Sequence, residues 1–150
     1  MSATNVFENG LLSLIFENAN YANVGDVTGL RGSSTAGVFW IGIHTTGPDD
    51  TSTQSTNEAT YTGYTGAGAR QSVARSTAGW SVASGVADND SVITYGACTG
   101  GTNTITHFII GSDQTGTGNA FLVGALGASL AVSSGITPSF AAGALDVTLD

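Results

Sequence analysis

The chain has 150 residues, with eleven carboxylates, three arginines and no lysine, and its formal net charge at pH 7 is −8. This charge excludes a nucleic-acid partner and an anionic membrane surface, since both are recognised through clustered basic residues. The length suits one domain with its own core. Gly, Ser, Thr and Asn are abundant between short β-branched and aromatic runs, which favours strands and turns.

The chain begins with a predicted helix. Thr4 or Asn5 can cap it, and it ends near Asn18, a residue type that tolerates the left-handed backbone of a helix terminus. Its apolar side chains recur at helical spacing and form one stripe, called here the helix stripe: Phe7, Leu11, Leu14 and Ile15. Leu12 and Phe16 widen this apolar side. So short a helix is marginal alone and must dock on a sheet or on a neighbouring subunit.

The remainder of the chain is predicted to be β-rich. A loop over residues 20–36 follows the helix, and residues 87–90 are interpreted as a turn. The predicted strands are 38–44, 71–75, 80–83, 92–95, 105–111, 119–125, 129–132 and 144–149, with turn residues between them. We therefore expect a single domain over 1–150, with the helix and loop in 1–36 and a β-sandwich in 37–150.

Strands at irregular spacing with turns between them indicate an antiparallel all-β fold. About eight strands in two packed sheets predict a jelly-roll-like β-sandwich with a short N-terminal helix. An immunoglobulin-like topology is the alternative, but Cys98 is the only cysteine and the cysteine pair of that fold is missing.

A long polar excursion, residues 49–68, carries two tyrosines among glycines. Loops of this length in compact domains are usually functional or ordered by contacts. Tyr61 and Tyr64 offer amphipathic contact area of the kind that interfaces favour. Together with the helix stripe, they are the candidate interface residues of this sequence.

The reactive side chains form no recognisable catalytic pattern. His44 and His107 lie in apolar strands without the spacing of metal ligands, which indicates structural histidines. Asp49-Asp50 and the Asp88-Asn89-Asp90 string are more simply explained by turn chemistry than by cation binding. The sequence therefore predicts no catalytic residue, no metal site and no cofactor.

Two of the three arginines bracket one short predicted strand. Arg70 and Arg75 could pair with carboxylates on a neighbouring subunit, or they could lie on a solvated face.

Several strings, taken in order, resemble a family of small tailed-bacteriophage virion proteins, some of which are tail-fibre proteins. The strings are residues 9–16, 39–48, 57–64, 75–80, 106–111, 130–132 and 135–140. Related small jelly-roll proteins act as capsid cement or decoration. The resemblance implies a virion component, but its motifs are structural and carry over no functional residue.

The resulting hypothesis is a non-enzymatic capsid cement or decoration protein. It would bind the outside of a tailed-phage head, stabilise the lattice of the major capsid protein and associate with itself as a homodimer or homotrimer. With no targeting segment or membrane span in the sequence, we expect synthesis in the host cytoplasm and a final place on the capsid exterior. The alternative is a tail or tail-fibre component with a structural or receptor-binding role. An enzyme or sugar-binding module would need an acid pair or an exposed aromatic platform, and Trp40 and Trp80 are better explained as core.

Overall fold

The computed structural model describes residues 3–25, 29–66 and 69–149. Within these ranges the chain forms one helix and nine strands. In chain order they are α1 (Asn5–Phe16), β1 (Val38–His44), β2 (Gln71–Ala74), β3 (Trp80–Ala83), β4 (Val86–Asn89), β5 (Ile93–Thr94), β6 (Asn103–Gly111), β7 (Ala120–Val132), β8 (Ser139–Phe140) and β9 (Asp146–Thr148). The predicted class, all-β with antiparallel sheets and a short N-terminal helix, is confirmed. The jelly-roll topology stays a prediction.

The chain divides into two compact units, each assembled from separate stretches of sequence. The first unit consists of Met1–Val38, Val73–Val92 and Phe140–Asp150. The second consists of Phe39–Ser72 and Ile93–Ser139. The predicted division after residue 36 lies close to the first of these boundaries, but the helix region also groups with β3, β4 and β9. The assignment of one domain stays a prediction.

Helix α1 and a three-stranded sheet in the order β3-β4-β9 form the first unit. Ser84 and Gly85 join β3 to β4 with φ values of 54° and 81°, the two positive angles of a type I′ hairpin. The prediction of a turn at 87–90 is wrong. Ala87 pairs with Val82 on one side and with Val147 on the other, and this two-sided pairing outweighs the local turn preference of the Asx residues.

A four-stranded sheet has the order β2-β1-β6-β7, and β6, β7 and nearly all of β1 belong to the second unit. Strands β1 and β6 pair from Trp40 opposite Gly111 to His44 opposite His107. Two predicted strands, 119–125 and 129–132, are one long strand, β7, whose register against β6 shifts twice. Strands β5 and β8 form a separate two-stranded sheet, and β8 was missed because two residues carry too little periodicity to be recognised.

Each unit has its own apolar core. Leu12, Phe16, Trp80, Ala87, Leu145 and Val147 are buried in the first unit. Ile41, Ile43, Tyr61, Tyr64, Ile105, Ile109 and Ile110 are buried in the second. Removing each large apolar side chain of this kind from water stabilises a fold by about 1.5–3 kcal/mol.

Candidate functional site

Helix α1 buries one side and leaves much of the helix stripe uncovered. Leu12 and Phe16 are 0% and 1% exposed, and the Phe16 ring centroid lies 4.6 Å from that of Trp80. In the stripe, Phe7 and Ile15 are 42% and 37% exposed, and the two leucines are half-buried. The side of the helix that enters the core is therefore not centred on the stripe, whose role as an interface stays a prediction.

The end of the helix is held by an arginine. The Arg75 guanidinium donates to the carbonyl oxygens of Leu14 (2.9 Å) and Ile15 (2.5 Å), where a cation also complements the helix dipole. Its third contact is Ser33 Oγ at 3.3 Å. Arg75, considered above as a partner for carboxylates of a neighbouring subunit, thus binds backbone within its own unit.

The two candidate tyrosines are core residues of the second unit. Tyr61 and Tyr64 are 2% and 6% exposed, their ring centroids lie 5.6 Å apart, and Tyr64 also contacts the Tyr95 ring at 6.0 Å. The Tyr61 hydroxyl donates to the Gly96 carbonyl oxygen. Burial raises the pKa of Tyr61 to about 12 and raises that of Tyr64 further. The sequence predicted these two tyrosines as interface residues, but both side chains are buried in the core of the second unit.

A buried ion pair lies beside Tyr64. Glu58 and Arg70 meet in two parallel bonds of 2.7 Å, from Nε to Oε1 and from Nη2 to Oε2, and Arg70 is 1% exposed. The same guanidinium donates to the carbonyl oxygens of Asp113 (3.0 Å) and Gly116 (2.8 Å). Arg70 therefore ties the loop before β7 to the polar excursion. Neither of the two alternatives considered for Arg70, a carboxylate of a neighbouring subunit or a solvated face, describes its position.

The hydroxyl of Tyr64 completes this polar cluster. It donates to Glu58 Oε1 at 2.9 Å and accepts from the backbone N–H of Ile43 at 3.2 Å. Next to it, fully buried His44 donates from Nδ1 to the carbonyl oxygen of Thr56 at 2.9 Å. Burial lowers the pKa of His44 below its usual 6.5 despite this bond, so His44 is a neutral structural histidine at pH 7, as expected.

Glu58 and Arg70 are fully engaged within this cluster, whereas Nε2 of buried His44 has no hydrogen-bond partner among the described residues. Both Glu58 oxygens accept bonds, and Nε, Nη1 and Nη2 of Arg70 all donate. The adjoining cleft, with Ala59, Ala69 and residues 114–116 also in its lining, has a volume of about 200 Å³. Typical small-molecule sites are larger, at about 300–1,000 Å³.

A further surface was not anticipated from the sequence. Strand β7 forms one edge of the sheet of the second unit, and its Phe121, Val123 and Leu130 are 53%, 44% and 37% exposed. The sequence contains no charged residue between Asp113 and Asp146. This long uncharged run was the available signal, but it was interpreted only as two ordinary strands.

Neither a metal cluster nor a membrane-spanning helix is found in the described parts of the chain. No group of three or more His, Cys, Asp or Glu side chains in these parts is arranged to hold a metal ion. Helix α1, with twelve residues, falls short of the length needed to cross a bilayer, and no other helix is described.

Among the comparisons with known proteins, a family match agrees with the resemblance to phage virion proteins noted in the sequence. No curated protein matches the chain. A sequence model described as podophage GP4 fiber I protein gp80 matches residues 2–148, which is nearly the entire chain. The chain thus belongs to the podophage GP4 fiber I protein gp80 family, a family of phage structural virion proteins.

Proposed function

We propose that this chain is a non-enzymatic structural component of a podophage fibre, within a tail or tail-fibre assembly. The observation that carries the proposal is the family match over residues 2–148, because it covers both units and not a single shared motif.

The side chains support a role in which exposed surfaces bind other subunits and buried polar groups stabilise the fold. Glu58 and Arg70 neutralise each other below the surface, and His44 is buried and neutral. The exposed large apolar side chains include two of the helix stripe, Phe7 and Ile15, and three of β7. Exposed apolar patches in a virion protein are suited to binding neighbouring subunits.

Capsid decoration is the second candidate, with the major capsid protein as the partner. The 150 residues of the sequence contain no internal repeat of the kind expected in a long fibre shaft, which favours this candidate. A decoration protein would bind many identical lattice sites on the outside of the head. Multiple copies then reinforce the shell without a high affinity at any one site.

Copy number in purified virions separates the two candidates. We would measure this chain by mass spectrometry with labelled peptide standards, using the major capsid protein as a reference. Trypsin can cut only after three arginines, so a protease specific for acidic residues is the better choice. A small number of copies that remains with the tail fraction after disruption supports the fibre assignment. A ratio near one to the capsid protein, or a simple lattice fraction of it, would overturn that assignment and favour decoration.

A further inference from the structure

Strand β7 presents an open sheet edge. It pairs with β6 on one side, and in the described residues no strand or bridge pairs with its other side. The backbone N–H and C=O groups along such an edge are complementary to another extended strand. The three exposed apolar side chains of β7, Phe121, Val123 and Leu130, define what we call the β7 surface.

The two edges of this sheet differ in how they are protected. The edge strand β2 has four residues and is followed directly by Arg75, and short strands with flanking charges are poor templates for pairing. Strand β7 has thirteen residues and contains no charge and no proline. Of the features that protect edge strands from pairing, β7 has only the bulges at its register shifts.

Those shifts leave two regular segments, of which Leu130–Val132, opposite Ile105 to Asn103, is the shorter. Leu122 to Ala125 pairs without interruption opposite Ile110 to His107. One shift falls at Phe121, and the other lies between Ala125 and Leu130. Bulges bend a strand and disturb its ladder, so the longer segment, around Val123, is the better template for main-chain pairing with another strand.

The charge distribution identifies the occupant as a second copy of this chain. Any copy has a net charge of −8, and all eleven carboxylates lie outside residues 114–145. Two copies that meet through β7 bring uncharged segments together and keep their acidic groups away from the contact. A basic partner would gain nothing from this surface, because it offers no carboxylate to pair with.

We infer that two copies associate through β7 in an antiparallel arrangement about a two-fold axis near Val123. The main chains pair over Leu122–Ala125, which brings the Val123 side chains of the two copies close together. An identical edge on both copies closes on itself, which gives a dimer and not an open chain. The inference rests on the proposed function only in that exposed apolar surfaces bind neighbouring subunits, and not on where in the virion the chain is located.

The test uses the purified full-length chain. Sedimentation equilibrium over a concentration series should give a mass approaching twice the 15.0 kDa of one chain. Val123→Lys places a charge in the contact, and the dimer dissociation constant should rise at least about tenfold. The matched control is Val92→Lys, which adds the same charge at a 60% exposed position in the first unit and should leave the constant within about twofold. Circular dichroism of both variants checks that the fold is kept.

Hydrogen exchange on the unmodified protein gives a second readout that needs no variant. The amides of Leu122–Ala125 should become more protected as concentration rises, whereas amides of β2 should not. A monomer at every concentration would overturn the inference, as would a dimer that Val123→Lys leaves intact. Virion cross-links that join β7 to a different protein, with a monomeric purified chain, would also overturn it. None of these outcomes alters the copy number, so failure here is distinguishable from failure of the fibre assignment.

Discussion

Each unit of the molecule organises its loops around a buried polar side chain, but the two side chains differ in charge. In the second unit, Arg70 binds the Glu58 carboxylate and two loop carbonyl oxygens. In the first unit, Asn89 has the same role, and both residues are 1% exposed. A guanidinium and an amide thus solve the same problem, which is to satisfy buried backbone groups where the chain leaves regular pairing.

The amide matches its surroundings without help from another side chain. Asn89 Nδ2 donates to the carbonyl oxygens of Ser91 and Ala141 at 2.7 and 2.9 Å. Its Oδ1 accepts from the N–H groups of Ala144 and Leu145 at 3.1 and 2.9 Å. A neutral amide has both donors and acceptors, so four backbone groups are satisfied at once.

The guanidinium has only donors and carries a charge that must be neutralised where it is buried. Glu58 supplies the neutralisation, and its carboxylate is itself only 18% exposed. Loss of either partner leaves the other charge poorly solvated, a penalty that the neutral amide does not incur. The second unit should therefore be the more sensitive of the two to a single polar substitution.

The largest effect is expected for Arg70→Met. It leaves the Glu58 carboxylate unpaired and two loop carbonyl oxygens without a donor, so the free energy of unfolding should fall by about 3–5 kcal/mol. Urea denaturation at pH 7 measures this change. Arg31→Met is the control, since Arg31 is exposed and its loss should cost less than about 0.5 kcal/mol.

A double variant isolates the role of charge. In Arg70→Met with Glu58→Gln, the uncompensated carboxylate is gone, so a large part of the loss should be recovered. Equal stability of the single and double variants would show that the lost carbonyl contacts, and not the unpaired charge, cause the destabilisation.

Asn89→Ala should have the second largest effect. It removes four hydrogen bonds without leaving a buried charge, and we expect a loss of about 2 kcal/mol. Thermal and urea unfolding would measure it, with exposed Asn5→Ala as the matched change in the same unit. A loss equal to that of Arg70→Met would contradict the proposed difference between the charged and the neutral side chain.

Tyr64→Phe tests the edge of the charged cluster. It removes a donor to Glu58 and an acceptor for the Ile43 N–H, so we expect a loss of about 1 kcal/mol at pH 7. Burial, followed by the charge of Glu58, raises the pKa of Tyr64 far above 10. Because Tyr64 ionises in the unfolded chain first, wild-type stability falls as pH rises above 10 and the gap to the variant narrows. A gap that stays constant between pH 8 and pH 11 would exclude this linkage.

The sequence predicted the elements that have strong periodicity but not the polar residues that hold them together. Helix α1 and strands β1 and β6 were recognised because their apolar residues repeat at the spacing of a helix or occur in long runs. Glu58 and Arg70 are twelve residues apart in a polar, glycine-rich stretch, and only the folded chain brings them together. Local Asx preference concealed Asn89 in the same way.

Gly42 is the one residue of the sequence that gives a usable signal for the buried polar cluster around Tyr64. Gly42 lies in the middle of apolar strand β1, where glycine often marks the close approach of another group. A Cβ atom there would lie 3.4 Å from the Tyr64 hydroxyl, 3.5 Å from Arg70 Cγ and 3.0 Å from His44 Nε2. The missing side chain at Gly42 thus marks where the polar cluster packs against β1, although nothing in the sequence identifies the side chains that pack there.

The smallest expected effect is a stabilisation instead of a loss of stability, and it concerns a residue of the first unit. Asp88 lies opposite Asp146 across β4 and β9, and its pKa is raised by desolvation, by a hydrogen bond that protonated Asp88 donates to the Asp146 carboxylate, and by the charges of Asp146 and Asp90. A pKa raised in the folded state means that ionised Asp88 opposes folding at pH 7 and that this cost disappears as pH falls below 3.8. Asp88→Asn should therefore stabilise the chain at pH 7 by about 0.5 kcal/mol, and the gain should vanish at low pH.

Melting temperatures at pH 7 and at low pH measure this gain, with Asp50→Asn on the exposed excursion as the control. An unchanged or lower melting temperature at pH 7 would mean that the two strands tolerate the acidic pair without cost.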